Sequence, residues 1–279
     1  VYLDDDFLYR YGDWSGRTET RGRTIHYIPL DNKAAGQRLT ILLHTTDMGR
    51  RGSIDDLEIG TTAQFMKNIS FADAIYTSAL SIALAMIAFL SLNLSWRALQ
   101  DIHRRALIYL IAFLVSFILW TTGTSSLFSR LFGMPGLWWE IHLIMLYIMP
   151  ITFAKVAQEI IAPVYKKTIR NILIIYILLF VIATITEIIG LDGYMNLLHL
   201  FYPILLTGCL VLICTFLRSN WTHYPACRYG VVSMISLTVF VGFDALHFEY
   251  HLLAGMLSTT IFSIYSTIPF VFFLIREQM

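Results

Sequence analysis

Long apolar runs with few charges dominate the chain after residue 71. The clearest of them, NILIIYILLFVIATITEIIG, contains no charged residue before Glu187. A helix needs about 20 predominantly apolar residues to cross the hydrocarbon core of a bilayer. Seven runs are long enough, so the sequence predicts seven membrane-spanning helices, near residues 72–94, 106–126, 137–160, 171–189, 194–217, 229–247 and 253–275.

The overall composition agrees with an integral membrane protein. Hydrophobic residues make up 57% of the chain and the mean hydropathy is +0.64, whereas soluble domains are about 45–50% apolar. The net charge of +1 gives no bulk attraction to nucleic acid. The three Cys lie in or beside one apolar run, which argues against a disulfide scaffold.

Positive charges are unevenly distributed between the two sides of the predicted spans. Nine Lys and Arg follow the first, third, fifth and seventh runs, whereas the short loops on the other side contain one, Arg130. Cytoplasmic loops of membrane proteins carry an excess of Lys and Arg. The sequence therefore predicts an N-terminal segment outside and a C-terminus in the cytoplasm. The nine residues are Arg97, Arg104, Arg105, Lys166, Lys167, Arg170, Arg218, Arg228 and Arg276.

The polar N-terminal segment has the pattern of β-structure. FLYRY, TIHYIPL and LTILLHT are rich in strand-forming residues, and turn-forming residues such as Asp4 to Asp6 separate them. About sixty residues are marginal for an independent core, and the chain starts at Val1 in a hairpin-like stretch and stops just after an apolar run. We therefore expect a piece of a longer protein. Its predicted parts are an extracytoplasmic β-domain (1–62), a juxtamembrane linker (63–71), a seven-helix sensor and transmission domain (72–275) and the start of a cytoplasmic linker (276–279).

Four segments of the N-terminal part occur in a recognisable order: VYLDDDFLYRYGD, RGRTIHYIPLD, AAGQRLTILLHTT and DDLEIG. Together they resemble the membrane-proximal end of the extracytoplasmic jelly-roll-like domain of bacterial seven-transmembrane receptors with diverse intracellular signalling modules. The resemblance implies a membrane all-α seven-helix bundle preceded by a small, truncated β-sandwich, multi-pass in the inner membrane. It also implies a cytoplasmic output domain in the same chain, most often a GGDEF diguanylate cyclase and otherwise a histidine kinase. No catalytic residue carries over.

Polar residues gather at the predicted outer ends of the helices. Asp244, His247 and His251 are spaced i, i+3 and i+7, on one helix face, and Asp and His are suitable ligands for a zinc-type ion. A ligand pocket is one interpretation, and the other is that helix ends near water collect polar residues without a binding role. We assign no metal, cofactor or catalytic residue. The pocket candidates are Glu140, His142, His199, Asp244, His247 and His251.

A receptor module is the leading functional hypothesis. Its expected partners are a small-molecule or carbohydrate-like extracytoplasmic ligand, the lipid bilayer, the output domain and a second copy in a homodimer, without nucleic acid. A membrane-embedded metal-dependent hydrolase with Asp and His ligands at the outer helix ends stays open as an alternative. A transporter also stays open, although the chain has no visible internal repeat. A retinal photoreceptor is disfavoured because the seventh run contains no Lys for a Schiff base.

Overall fold

The structure is a computed structural model, and it describes part of the chain. The described residues are 1–10, 26–31, 34–42, 57, 59–96, 101–124, 126–219, 227, 231–232, 234–235 and 238–239. The chain divides into two compact units. The first comprises Val1–Asp73 with Gly123–Glu140, and the second comprises Ala74–Thr122 with Ile141–Met279.

The first unit contains a three-stranded antiparallel sheet in the order β2-β1-β3, formed by β1 (Tyr2–Leu3), β2 (Asp6–Phe7) and β3 (Leu39–Thr40). The tight turn between β1 and β2 is possible because Asp4 adopts a positive φ of 51°, which Asp tolerates better than most residues. The Asp4 carboxylate accepts a hydrogen bond from the Arg38 amide at 2.9 Å, beside β3. The predicted β-structure is thus present as a small sheet, and the jelly-roll remains a prediction.

Helices account for most of the described chain. They are α1 (Thr62–Trp96), α2 (Asp101–Thr124), α3 (Ser126–Phe132), α4 (Pro135–Ile160), α5 (Lys166–Ile188), α6 (Gly193–Asn196) and α7 (Leu198–Arg218), with a 3₁₀ turn at Pro163–Tyr165. Four segments are helical, long and apolar enough to cross a membrane, namely Arg104–Gly123, Pro135–Ile160, Pro163–Ile188 and Leu198–Arg218. The apolar stretch of α1, Tyr76–Leu92, is shorter. Within the described residues the protein is therefore mostly helical and has four candidate membrane spans.

The remaining predicted runs have different outcomes. The fifth run divides at Leu197 into α6 and α7. The sixth is described at a few positions, all helical, and the seventh lies outside the described residues. The residues of the expected juxtamembrane linker at 63–71 are helical and form the first turns of α1. The Thr61 hydroxyl accepts a hydrogen bond from the Gln64 amide at 3.3 Å and caps this helix.

The spanning helices of the second unit differ in how much of their surface is enclosed. In α2, 61% of the span is buried, whereas in the segment that contains α5 the value is 28%. Tyr147 of α4 and Phe201 of α7 are among the largest fully buried side chains. The core of this unit therefore forms around α2, α4 and α7, and α5 keeps a long aliphatic face exposed.

Candidate functional site

His142 is the pocket candidate that lies deepest in the protein. Its side chain is 4% exposed and stacks on the indole of Trp120, with ring centroids 5.5 Å apart and an interplanar angle of 23°. Its Nδ1 atom lies 3.2 Å from the Trp120 carbonyl oxygen. His142 of α4 therefore faces the interior of the second unit, next to the C-terminal part of α2.

The other pocket candidates do not form a complete site among the described residues. Glu140 is half-buried and is the last residue of the first unit, while His199, the second residue of α7, is exposed. Asp244, His247 and His251 lie outside the described residues. In the part of the chain that the structure describes, no group of three or more His, Cys, Asp or Glu residues could hold a metal ion. The pocket hypothesis therefore stays a prediction.

Two threonines in the last turn of α2 also bear on the pocket hypothesis. The Thr121 hydroxyl donates to the Phe117 carbonyl at 2.9 Å, and the Thr122 hydroxyl donates to the Leu119 carbonyl at 2.8 Å. These are bonds within the same helix, which Ser and Thr commonly make in apolar surroundings. Both hydroxyl protons are therefore donated to carbonyl oxygens of α2 itself.

A second arrangement of polar groups lies where α5 turns into α6 and α7. Helix α5 ends in a Schellman motif, in which the Gly190 amide donates to the Glu187 carbonyl at 2.9 Å and the Leu191 amide donates to the Thr186 carbonyl at 3.0 Å. Gly190 has a φ of +80°, which a residue with a side chain adopts only with strain. This motif directs the chain back toward the bundle at Gly193.

Gly193 lies against α5 so closely that no side chain fits. A Cβ atom at this position would overlap the Thr186 hydroxyl and the Ala183 carbonyl oxygen. The Glu187 carboxylate accepts a hydrogen bond from the Tyr194 amide at 3.2 Å, across the same turn. The start of α6 is therefore fixed on the last turns of α5 by close packing and by a charge-assisted hydrogen bond.

Tyr194 and Tyr147 connect this turn to the core. The Tyr147 hydroxyl donates to the Tyr194 carbonyl oxygen at 2.9 Å, and the two rings lie 5.6 Å apart. The Tyr194 hydroxyl lies 2.9 Å from the Thr184 hydroxyl, which in turn lies 2.8 Å from the Phe180 carbonyl of α5. Phe201 of α7 packs on Tyr147 with ring centroids 4.5 Å apart. We call Tyr147, Thr184, Glu187, Tyr194 and Phe201 the tyrosine cluster.

The tyrosine cluster joins α4, α5 and α6 through hydrogen bonds between buried and half-buried groups, and it joins α7 through the packing of Phe201 on Tyr147. Unpaired polar groups are costly in an apolar interior, so paired hydroxyls hold such a cluster in one arrangement. The tyrosine cluster is a structural connection between helices. Through it, a displacement of α6 reaches α4, α5 and α7. The sequence identified Glu187 as the first charged residue of its apolar run, and it did not predict the two tyrosines. Their spacing along the chain carries no local signal, although Gly190 and Gly193 after an apolar run do indicate a turn.

The first unit contains an ion pair between two helices. Arg130 of α3 bonds to the carboxylate of Asp73 in α1. In the same unit, Trp138 donates its indole N–H to the Gly133 carbonyl at 3.2 Å and packs against Phe128 with ring centroids 5.3 Å apart. The one basic residue of the predicted outer loops is therefore matched by an acidic partner, and Trp138 is an aromatic residue of the kind enriched at membrane interfaces.

Comparison of the chain with protein-family models, with curated proteins and with solved structures finds no match in any of the three.

Proposed function

We propose that this chain is the transmembrane sensing and transmission module of a bacterial signalling receptor. In this proposal the N-terminal unit contacts an extracytoplasmic ligand at the outer face of the inner membrane. The helices pass the resulting displacement to a cytoplasmic output domain in the same chain, a GGDEF diguanylate cyclase or otherwise a histidine kinase. The segment itself is not an enzyme.

The observation that carries this proposal is the continuity of α1. The Tyr27 hydroxyl of the N-terminal segment lies 2.6 Å from the hydroxyl of Thr62, the first residue of α1. From there α1 continues for 35 residues to Trp96 and includes the apolar stretch Tyr76–Leu92. A helix of this length spans about 50 Å at 1.5 Å per residue. A shift of the residues around Thr62 is thus transmitted along a single unbroken helix.

A receptor also requires helix contacts that can take up such a shift. A ligand transmits a signal only if it binds two arrangements of the protein with different affinity. The tyrosine cluster supports this requirement, because directed hydrogen bonds connect α4, α5 and α6 there and the Phe201 ring packs α7 against Tyr147. A change in one of those bonds alters the packing of all four helices together.

The test uses the full-length gene product in membrane vesicles, with cyclic-di-GMP synthesis and autophosphorylation as the two readouts. Insertion of two glycines after Lys67, inside α1 but before its apolar stretch, interrupts the helix. We expect this insertion to change the output activity at least threefold. The matched control is the same insertion after Ala162, between α4 and the 3₁₀ turn, which preserves α1.

Three results would contradict the proposal. The full-length protein could show neither activity, the activity could be unchanged by the insertion in α1, or both insertions could act equally. A tightly bound metal ion, together with chelator-sensitive hydrolysis, would favour the membrane-embedded hydrolase instead.

A further inference from the structure

Two helix ends meet at the corner where α5 begins and α7 ends. The hydroxyl of Tyr165, directly before α5, donates to the carbonyl oxygen of Arg218 at 3.4 Å. The first turns of α5 contain Lys166, Lys167 and Arg170, and Arg218 is the last residue of α7. Four cationic side chains therefore belong to one corner of the second unit.

Among the described residues, no acidic side chain forms an ion pair with these four cations. Residues 160 to 186 contain no Asp or Glu. Lys166 and Lys167 also lie in the first turn of α5, where the helix dipole disfavours positive charge. Helix stability thus gives no reason for Lys166 and Lys167, although it favours Arg218 at the end of α7. An anion from outside the chain is the partner that the charge of the corner fits.

An exposed aliphatic face of α5 continues from the cations. Lys167, Arg170, Ile174, Leu178 and Val181 follow one another at intervals of three or four residues and so share one helix face. Lys167 and Arg170 are exposed, and so are Ile174 at 47%, Leu178 at 55% and Val181 at 43%. From Arg170 to Val181 the helix rises about 16 Å, close to the half-thickness of about 15 Å of a hydrocarbon core.

We propose that this face binds an anionic phospholipid of the surrounding bilayer. The lipid phosphate is held by Lys167, Arg170 and Arg218, and an acyl chain lies along Ile174, Leu178 and Val181. Basic pockets between membrane helices bind acidic lipid head groups, and each cation near the surface contributes about fivefold to the affinity. The inference is independent of the receptor proposal, because it rests on α5 and α7 alone.

The alternative explanation of these cations is the positive-inside rule, which concerns orientation and predicts no preference among lipids. A free phosphate ion is the other source of the same anionic chemistry, and it lacks the acyl chain that the aliphatic face would contact. The experiment must therefore compare lipids of different head group and must include phosphate alone.

The experiment measures lipid binding to the purified full chain, delipidated in detergent, by native mass spectrometry. We expect phosphatidylglycerol to bind at least tenfold more tightly than phosphatidylcholine with the same acyl chains. The double substitution Lys167→Gln with Arg170→Gln should remove most of this preference. The matched control, Arg104→Gln with Arg105→Gln, removes the same charge from two exposed residues of α2 and should leave the preference within twofold.

Four outcomes would overturn the proposal. They are equal binding of the two lipids, an equal loss in the control variant, a preference unchanged by the α5 substitutions, and displacement of phosphatidylglycerol by millimolar inorganic phosphate. The last result would indicate a phosphate site without a lipid. Each variant is first compared with the parent by circular dichroism, and if the α5 double variant has lost helix, the single substitution Arg170→Gln takes its place.

Discussion

The hydroxyl of Tyr147 donates a hydrogen bond to the backbone carbonyl of Tyr194 at 2.9 Å, and so connects α4 to the short helix α6. The two residues are separated by 47 positions in the chain. Bonds of this kind between membrane helices contribute about 1 kcal/mol. The Tyr147 ring packs separately on Phe201, so the hydroxyl and the ring can be tested one at a time.

Tyr147→Phe should lower the free energy of unfolding by about 1 kcal/mol, because it removes the hydroxyl and leaves the Tyr194 carbonyl without its donor. Tyr147→Ala should cost about 3–5 kcal/mol, because it also leaves a cavity. Denaturation in mixed detergent micelles measures both values. The control is Tyr165→Phe, whose hydroxyl bond is longer at 3.4 Å. Equal losses for the two Phe variants would contradict the role assigned to Tyr147.

Gly208→Ala should destabilise the protein by about 1–3 kcal/mol through overpacking. A Cβ atom on Gly208 of α7 would overlap the hydroxyl of Tyr176 in α5. In an unconstrained helix the same change would stabilise by up to about 1 kcal/mol, so the sign of the effect is diagnostic. Adding Tyr176→Phe should recover part of the loss, because the overlapping oxygen is then absent. A stabilising Gly208→Ala would show that α5 and α7 do not approach closely there.

The ion pair of Asp73 and Arg130 should have a coupling energy of about 0.2–1 kcal/mol, because both side chains are partly exposed. A double-mutant cycle with Asp73→Asn and Arg130→Gln measures it, and the value should decrease as salt is added. The control cycle pairs Asp73→Asn with Lys67→Gln, six positions away along α1, and should give no coupling. A coupling of zero in the first cycle would refute the contact.

His26 should titrate below the ordinary pKa of 6.5, because partial burial disfavours its charged form. The ring is exposed on one side, and Tyr9 lies over it with ring centroids 5.6 Å apart. The folded segment then binds fewer protons than the unfolded segment below pH 6.5, so its stability falls as the pH falls through that window. An NMR titration of His26 checks the pKa, and Tyr9→Ala should move it back toward 6.5. A value above 6.5 would contradict the expectation.

Hydropathy predicted the spans of α2, α4 and α5 to within a few residues, because a helix in lipid must be long and apolar whatever it packs against. It did not predict the break at Leu197. At this break Leu197 separates α6 from α7, four residues after Gly193, which packs against Thr186. Composition also could not show that the start of α1 is helical, because that depends on the Thr61 cap and on the residues that follow it.

The candidate site was predictable only in part, for a related reason. His142 was identified as a polar residue at a helix end, and the structure adds its burial and its contact with Trp120. The tyrosine cluster depends on pairs such as Tyr147 with Tyr194, whose contact arises from the packing of distant segments. Such pairs leave no periodic pattern in the sequence. Glu187 was noticed, but its partner, a backbone amide of the next helix, was not.

The turn between α5 and α7 has a consequence for how the chain is assembled during synthesis. Its bonds join residues close in sequence, such as Glu187 with Tyr194 and Asn196 with the Leu191 carbonyl at 2.6 Å. Such local contacts form faster than those between distant segments, because little loop entropy is lost. Residues 166–218 can therefore associate as a helical hairpin as soon as both helices have left the ribosome. That hairpin then offers α4 a prepared surface, on which the Tyr147 hydroxyl meets a carbonyl already in place.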